Sequence, residues 1–283
     1  MASQILSENV LSLIRSALEE DIGTGDVTSL FFVPEDLTTR ARIFAKESGV
    51  AAGVDVAAAV FQQVDPTLSV HIEKHDGIPF EAGDTILQIA GRTRSILTAE
   101  RTALNFLQRL CGVAAQTRRY VDAVKPHPVK ILDTRKTTPG WRLLEKHAVH
   151  CGGGTNHRMG LYDMVMVKDN HLLAESRKED LQSAIDQVKA KHPEIRVELE
   201  ADTLEQVANF LTLRGVDVIL LDNMPPALLY KAVTLNRNRV FLEASGGITL
   251  ESINAVAATG VNAISVGALT HSVKSLDLSL ELL

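Results

Sequence analysis

Between Arg196 and Asp222 the chain reads "RVELEADTLEQVANFLTLRGVDVILLD", two apolar β-type runs (196–200 and 216–222) enclosing one amphipathic helical run. A strand that leads through a helix into another strand pairs with it in parallel, by a right-handed crossover. The same alternation extends in both directions. "VKIL" (129–132), "MVMVK" (164–168), "VFLEAS" (240–245) and "NAISVG" (262–267) read as strands, and "KEDLQSAIDQVKAKH", "PPALLYKAV" and "TLESINAVAATG" as helices between them. Pro225–Pro226 suits a helix start, Thr249 an N-cap and Gly260 a helix end. Six strands at this spacing point to a barrel more than to an open sheet. No GxGxxG turn opens a helix after the first of them, which weighs against a dinucleotide domain.

Residues 1–112 follow another rhythm. An amphipathic opening helix precedes "DIGTGDVTS", and the short strand-like pieces "ARIFAKESG", "LSVHIEKHDG" and "DTILQIAGRT" turn at Gly49, Gly77 and Gly83. A second helix, "ILTAERTALNFLQRLCGVA", closes this part. The expected class is α/β. A sandwich-like α+β domain over 1–112 precedes an open, incomplete α/β barrel of parallel strands over 113–270, and residues 271–283 return to the first domain.

Hydrophobic residues make up 45% of the 283 and charged residues 23%, enough for a full core. A formal net charge of −6 argues against nucleic acid as a partner. No run approaches the roughly 20 apolar residues of a membrane span. The N-terminus lacks a continuous apolar signal region, and Cys111 and Cys151 sit in no metal-site spacing. The expectation is a reduced, cytoplasmic protein.

Within this acidic chain five cations lie close in sequence: Arg135, Lys136, His157, Arg158 and Lys168. A solvated surface would scatter charge over helices. Here "DTRK" (133–136) follows the first barrel strand and "KDNH" (168–171) ends the second. Glu198 and Glu200 share one face of the third, Asp222 and Asn223 end the fourth, "EASGG" (243–247) the fifth and "SVGA" (265–268) the sixth. The carboxyl ends of parallel barrel strands are where active sites are built. Several cations at one mouth suit a polyanion, with the arginine forks matched to carboxylate or phosphate. Glu200 and Asp222 would repel each other unless a hard cation joins them, and Mg²⁺ carried on a phosphorylated substrate answers that need. Pairing with nearby lysines is the bland alternative for Glu198 and Glu200. "SGG" and "VGA" offer backbone N–H groups to a phosphate, with His271 just beyond.

The run "LDTRKTTPGWRLLEKHAVHCGGGTNHRMGLYDMVMVKDNH", preceded by "ERTALNFLQRLCGVA" and followed by "LLDN", "LEASGGI" and "SVGALTHSVKSLDLSL", resembles the quinolinate phosphoribosyltransferase family, as does "LEEDIGTGDVTS". The resemblance covers nearly the whole chain. It implies an open α/β barrel in an assembly of at least two subunits. It implies transfer from phosphoribosyl pyrophosphate (PRPP) to quinolinate with Mg²⁺, giving nicotinate mononucleotide, pyrophosphate and CO₂, the de novo entry into NAD.

By the same resemblance, Arg135, Lys136, His157, Arg158 and Lys168 would surround the quinolinate carboxylates and nearby PRPP oxygens, with Thr134 beside Arg135. Arg101 would come from the partner subunit. Glu200 and Asp222 would hold the Mg²⁺-bound pyrophosphate and ribose hydroxyls. Ser245, Gly246, Gly247, Val266, Gly267 and Ala268 would cradle the 5-phosphate, and Lys136 or Lys168 would return a proton after decarboxylation. The competing readings are a molybdenum-associated paralogue acting on another anion, a barrel lyase forming a Schiff base at Lys168, and a phosphate-binding module without turnover.

Overall fold

A computed structural model describes residues 5–168 and 178–283. Asp169, Asn170 and His171, the end of the "KDNH" run, lie outside the described residues. In chain order the first elements are α1 (Glu8–Ile22), α2 (Val27–Phe32), β1 (Thr38–Ala45), β2 (Gly49–Val50), α3 (Val54–Val64), β3 (Ser69–Ile72), β4 (Pro79–Phe80), β5 (Thr85–Arg92) and α4 (Thr93–Ala123). There follow β6 (Lys130–Leu132), α5 (Arg142–Cys151), β7 (Val165–Val167), α6 (Lys178–Lys191), β8 (Val197–Ala201), α7 (Leu204–Phe210), β9 (Val218–Asp222) and α8 (Pro226–Asn236). The last are β10 (Phe241–Ser245), α9 (Ile253–Ala257), β11 (Ala263–Ser265), α10 (Ala268–His271) and β12 (Leu278–Leu282).

Two compact units result: Met1–Arg118 with Thr137–Gly153 and Leu269–Leu283, and Arg119–Lys136 with Gly154–Ala268. The division read from sequence, between 112 and 113, falls inside α4. The reason that 137–153 sides with the first unit is chemical. Glu145 of α5 is fully buried and accepts from Arg109 Nη2 of α4 at 2.8 Å, from Thr138 N at 3.0 Å and from Thr138 Oγ1 at 2.9 Å. Trp141 stacks on Phe106 of α4 with ring centroids 4.7 Å apart. Gly152 lies so close to α4 that a Cβ there would sit 2.4 Å from the Ala114 carbonyl oxygen.

The first unit carries an antiparallel sheet in the order β12-β1-β5-β3, with β2 and β4 paired separately. The C-terminal strand lies beside β1, Ala41 opposite Leu282. Val10, Ile14 and Leu18 form the buried stripe of α1, spaced by four residues. Burying each such side chain contributes about 1.5–3 kcal/mol.

In the second unit six parallel strands run in the order β6-β11-β10-β9-β8-β7. The edges of that order, β6 and β7, follow each other in the chain. This is the order of a barrel left open between its first and second strands. Leu132 and Thr155 form an isolated parallel bridge beside β6. Leu199, Ala201, Ile219, Leu221, Leu242 and Ala244 fill one face of the sheet and are fully buried or nearly so.

Helix punctuation follows the sequence in two places of three. Pro226 is at the start of α8, and Gly260 ends the α9 region with φ of +88°. Thr249 does not cap α9. It bonds Ser252 within a turn, and Ser252 occupies the N-cap position.

Candidate active site

Strand register decides which side chains meet. Glu200 pairs with Leu220, and Leu220 with Glu243; Asp222 pairs with Ser245. Because paired residues point to the same face, Glu198, Glu200, Asp222, Glu243 and Ser245 all lie on the face opposite the apolar one. Along each strand two positions are distinguished. Glu200, next to last in β8, and Asp222 and Ser245, last in β9 and β10, form the upper one. Glu198 and Glu243, two residues earlier on β8 and β10, form the deeper one, although the register sets Glu243 in the row of Glu200.

At the upper level Lys168, just past β7, donates from Nζ to Glu200 Oε2 at 2.6 Å, with 43% of the lysine side chain and 10% of the glutamate exposed. That is the lysine pairing foreseen as the bland alternative for Glu200. It uses one carboxylate oxygen. Arg158 is half-buried; its Nη1 donates to the Met164 carbonyl at 3.2 Å and its Nη2 to Met166 Sδ at 3.4 Å. Burial holds its guanidinium below the ordinary arginine range, and the like charge of Arg135 lowers it further. The two arginines, 23 residues apart in sequence, are therefore brought near one another. Lys136 is exposed, and its N–H donates to Thr134 Oγ1 at 3.1 Å, closing a tight turn after β6.

His157 lies at the deeper level, its side chain 8% exposed. Nε2 stands 3.3 Å from Glu198 Oε2 and 3.4 Å from Glu243 Oε1, and Nδ1 accepts the Arg158 backbone N–H at 2.7 Å. Buried Asp133 accepts the His157 N–H at 2.8 Å, and Ser265 Oγ donates to Glu243. Glu198 thus faces a histidine and not a lysine. Burial raises its pKa; His157 opposes the rise and the Glu243 charge adds to it. His157, Glu198 and Glu243 are close enough for one metal ion. The hydrogen bonding speaks for a proton instead. A metal-binding histidine keeps a proton on its other nitrogen, whereas Nδ1 here faces the Arg158 N–H. Burial opposes a charge on the ring, but bonding to Glu198 and Glu243 outweighs it and raises the pKa to about 9. In the first unit, Asp76, His147 and Cys151 form a second such group. There Asp76 already accepts the backbone N–H groups of Gly53 and Val54 at the start of α3.

At the end of β9, Asp222 Oδ2 accepts from Asn223 Nδ2 at 2.6 Å. Glu200 Oε1 and Asp222 Oδ1 make no hydrogen bond among the described residues. The two acids stand on one face of adjacent strands, each with an oxygen to offer, and this hard donor set fits Mg²⁺ held directly or through water. Gly246 and Gly247, at φ of +95° and +61°, likewise spend neither N–H within the described residues, which suits a phosphate. Val266 differs from expectation. Its N–H donates to the Leu132 carbonyl at 2.9 Å, so this amide is used inside the sheet and is not available to a phosphate. Gly267 and Ala268 follow it into α10. Arg101 on α4 and His271 at the end of α10 are exposed and belong to the first unit; His271 Nδ1 lies 2.7 Å from Ser272 Oγ.

Of the groups that build the site, Asp133, Glu243, Ser265 and Asn223 were given no role from sequence. Asp133 and Glu243 stood inside quoted motifs. Burial alone, which strand depth determines, separates them from their neighbours.

Comparisons with known proteins bear on the family and the fold. Residues 26–111 match the family model of the quinolinate phosphoribosyl transferase N-terminal domain, and residues 113–281 that of the C-terminal domain. The chain is 43% identical over 287 residues to the chloroplastic nicotinate-nucleotide pyrophosphorylase (carboxylating) of Arabidopsis thaliana, covering 96% of this chain and 82% of the relative. It is 42% identical over 286 residues to the decarboxylating quinolinate phosphoribosyltransferase 1b of Nicotiana tabacum, covering 95% of this chain and 81% of the relative. The structure of the nicotinate-nucleotide pyrophosphorylase from Francisella tularensis superimposes with a TM-score of 0.91 at 39% identity, covering 98% and 96% of the two chains. With two family models spanning residues 26–281 and relatives of this identity matched over nearly its whole length, the chain belongs to the quinolinate phosphoribosyltransferase family.

Proposed function

We propose that the protein transfers the phosphoribosyl group of PRPP to quinolinate with loss of CO₂, forming nicotinate mononucleotide and pyrophosphate. The observation that carries this reading is the cluster at the strand ends. Burial and the neighbouring positive charge of Arg135 both disfavour the charged form of Arg158, a costly arrangement without an anion, and Glu200 and Asp222 stand on the same face.

Quinolinate is a dianion and PRPP carries several negative charges, so the two repel in an uncharged pocket. Arg135 and Arg158 offset the carboxylates through paired N–H donors, while Lys136 and Lys168 act as point charges. Thr134 shapes the turn that presents Arg135 and Lys136. His157, held from below by Glu198, Glu243 and Asp133, fixes the backbone that carries Arg158 and lines the floor of the carboxylate pocket. Ser245, Gly246 and Gly247 take the 5-phosphate with Gly267 and Ala268.

The pyridine nitrogen attacks the ribosyl carbon as pyrophosphate departs. Much of the acceleration comes from holding both anions in line and from positive groups facing the departing charge. Mg²⁺, when bound, neutralises charge on the leaving pyrophosphate, with Glu200 and Asp222 as its protein anchors. N-ribosylation leaves a pyridinium that accepts the electron pair freed when the 2-carboxylate leaves as CO₂. Lys136 or Lys168 then returns a proton to that carbon. The Lys168–Glu200 ion pair weighs against a Schiff-base role, since an ammonium held by a carboxylate is not a nucleophile.

Arg101 completes the carboxylate pocket from the partner subunit of a homodimer or larger assembly. The setting is cytoplasmic, in keeping with Cys111 and Cys151 being free thiols and with no described helix long and apolar enough to cross a membrane.

The test is acceptor choice. With PRPP and Mg²⁺, quinolinate should yield nicotinate mononucleotide, whereas nicotinate, lacking one carboxylate, should be a poor acceptor. Equal use of nicotinate, or no product from quinolinate, would overturn the reading.

A further inference from the structure

We infer that Asn223 is a positioning residue that locks the Asp222 carboxylate to the glycine turn after β10, an inference resting on the transferase reading of those two groups. Asn223 follows β9 with φ of +52°, a left-handed conformation that asparagine tolerates better than most side chains. Its backbone N–H donates to the Ser245 carbonyl at 2.9 Å, carrying the β9–β10 pairing one residue past the end of β9. That geometry lays its amide over the start of the turn.

Two consequences are visible. Nδ2 donates to Asp222 Oδ2 at 2.6 Å, a short charge-assisted bond, and leaves Oδ1 as the carboxylate oxygen without a hydrogen bond among the described residues. On its other side the amide fills the space in which residue 246 would carry a side chain. A Cβ on Gly246 would lie 2.1 Å from Asn223 Oδ1 and 2.8 Å from its backbone nitrogen. One amide therefore sets the direction of the acid proposed to face the ribose hydroxyls and Mg²⁺, and packs directly on the turn proposed to hold the 5-phosphate. Both groups would grip the same substrate, PRPP, and neither would grip quinolinate.

A turn residue and nothing more would predict otherwise. Glycine adopts left-handed φ at no steric cost, so Asn223→Gly keeps the backbone and removes only the amide. Asn223→Asp keeps turn and shape but places a second carboxylate beside Asp222. The measurement is calorimetric binding of PRPP with Mg²⁺, and separately of quinolinate, to wild type and both variants, with turnover and thermal midpoint followed in parallel.

Loss of one hydrogen bond to a charged group predicts PRPP binding weaker by about tenfold or more in Asn223→Gly. A higher Mg²⁺ requirement should accompany it, with the quinolinate Kd within about twofold of wild type. Asn223→Asp should bind PRPP at least as weakly at low Mg²⁺, through like-charge repulsion with Asp222. Unchanged PRPP binding in Asn223→Gly overturns the inference, as does an equal weakening of both ligands with a lowered midpoint. Wild type that binds PRPP tenfold tighter than Asn223→Gly yet forms no nicotinate mononucleotide would support the role of Asn223 and sink the reaction instead.

Discussion

Arg158→Ala separates binding from folding. Among the described residues the guanidinium has one carbonyl partner, Met164 O at 3.2 Å, and a weak contact to Met166 Sδ. Losing that bond costs the fold about 1 kcal/mol, and relief of repulsion with Arg135 offsets part of it. A bound carboxylate loses more. A hydrogen bond between charged groups contributes about 1.5–3 kcal/mol net, which is roughly 10- to 100-fold in Kd. Titration of quinolinate in the absence of PRPP, at low ionic strength where charge is least screened, should show that weakening. The thermal midpoint should fall by about 2–4 °C. Arg158→Lys should lie between, keeping the charge and losing the fork. A Kd within threefold of wild type for folded Arg158→Ala would refute the assignment of Arg158 to the carboxylate pocket.

Four further outcomes are expected. Glu145→Ala removes a fully buried carboxylate that pairs with Arg109 and accepts from both the N–H and the hydroxyl of Thr138. It should cost about 3–5 kcal/mol in urea unfolding, and a loss under 1 kcal/mol would count against that anchor. His147 gives a pH signature: burial opposes its charge, but bonding to Asp76 and Cys151 outweighs it and raises the pKa from 6.5 to about 10. Its stabilisation is complete below the unfolded value and is lost as pH rises through the folded one, so the urea midpoint should fall between about pH 7 and pH 10 in wild type. It should fall less in His147→Asn; parallel profiles would dismiss the ion pair. Gly152→Ala sets a methyl against the Ala114 carbonyl and should lose about 1–3 kcal/mol, with an unchanged midpoint as the contrary result. Arg101→Ala and Lys168→Ala homomers should each be inactive and recover activity when subunits are exchanged; verified exchange without recovery contradicts a shared site.

Much of this molecule was legible in its letters, for a specific reason. Short apolar-rich runs alternating with helical patterns mark parallel strands, and the runs 129–132, 164–168, 196–200, 216–222, 240–245 and 262–267 each fall within a residue or two of the observed strand ends. Alternation along the third strand then placed Glu198 and Glu200 on one face. Depth was not legible. Glu198 and Glu200 look alike in sequence, yet the first lies buried against His157 and the second pairs with Lys168. No helix was expected at α3, where Val54, Val56, Ala57, Ala58, Ala59, Val60 and Phe61 are all buried. The return of 137–153 to the first unit depends on the Glu145–Arg109 contact across 36 residues, invisible to any local pattern. The Val266 amide looked free beside a glycine and is taken by Leu132 on a strand 134 positions earlier. Asn223 needed its φ to be known before its amide had any direction.

Decarboxylation linked to ribosylation is the claim on which the proposed function stands, and one carbon balance addresses it. Quinolinate labelled in its 2-carboxylate, incubated with the protein, PRPP and Mg²⁺, should release one labelled CO₂ for each pyrophosphate and each nicotinate mononucleotide formed, and none when PRPP is omitted. Release of CO₂ without PRPP, or nucleotide that retains the label, would contradict it.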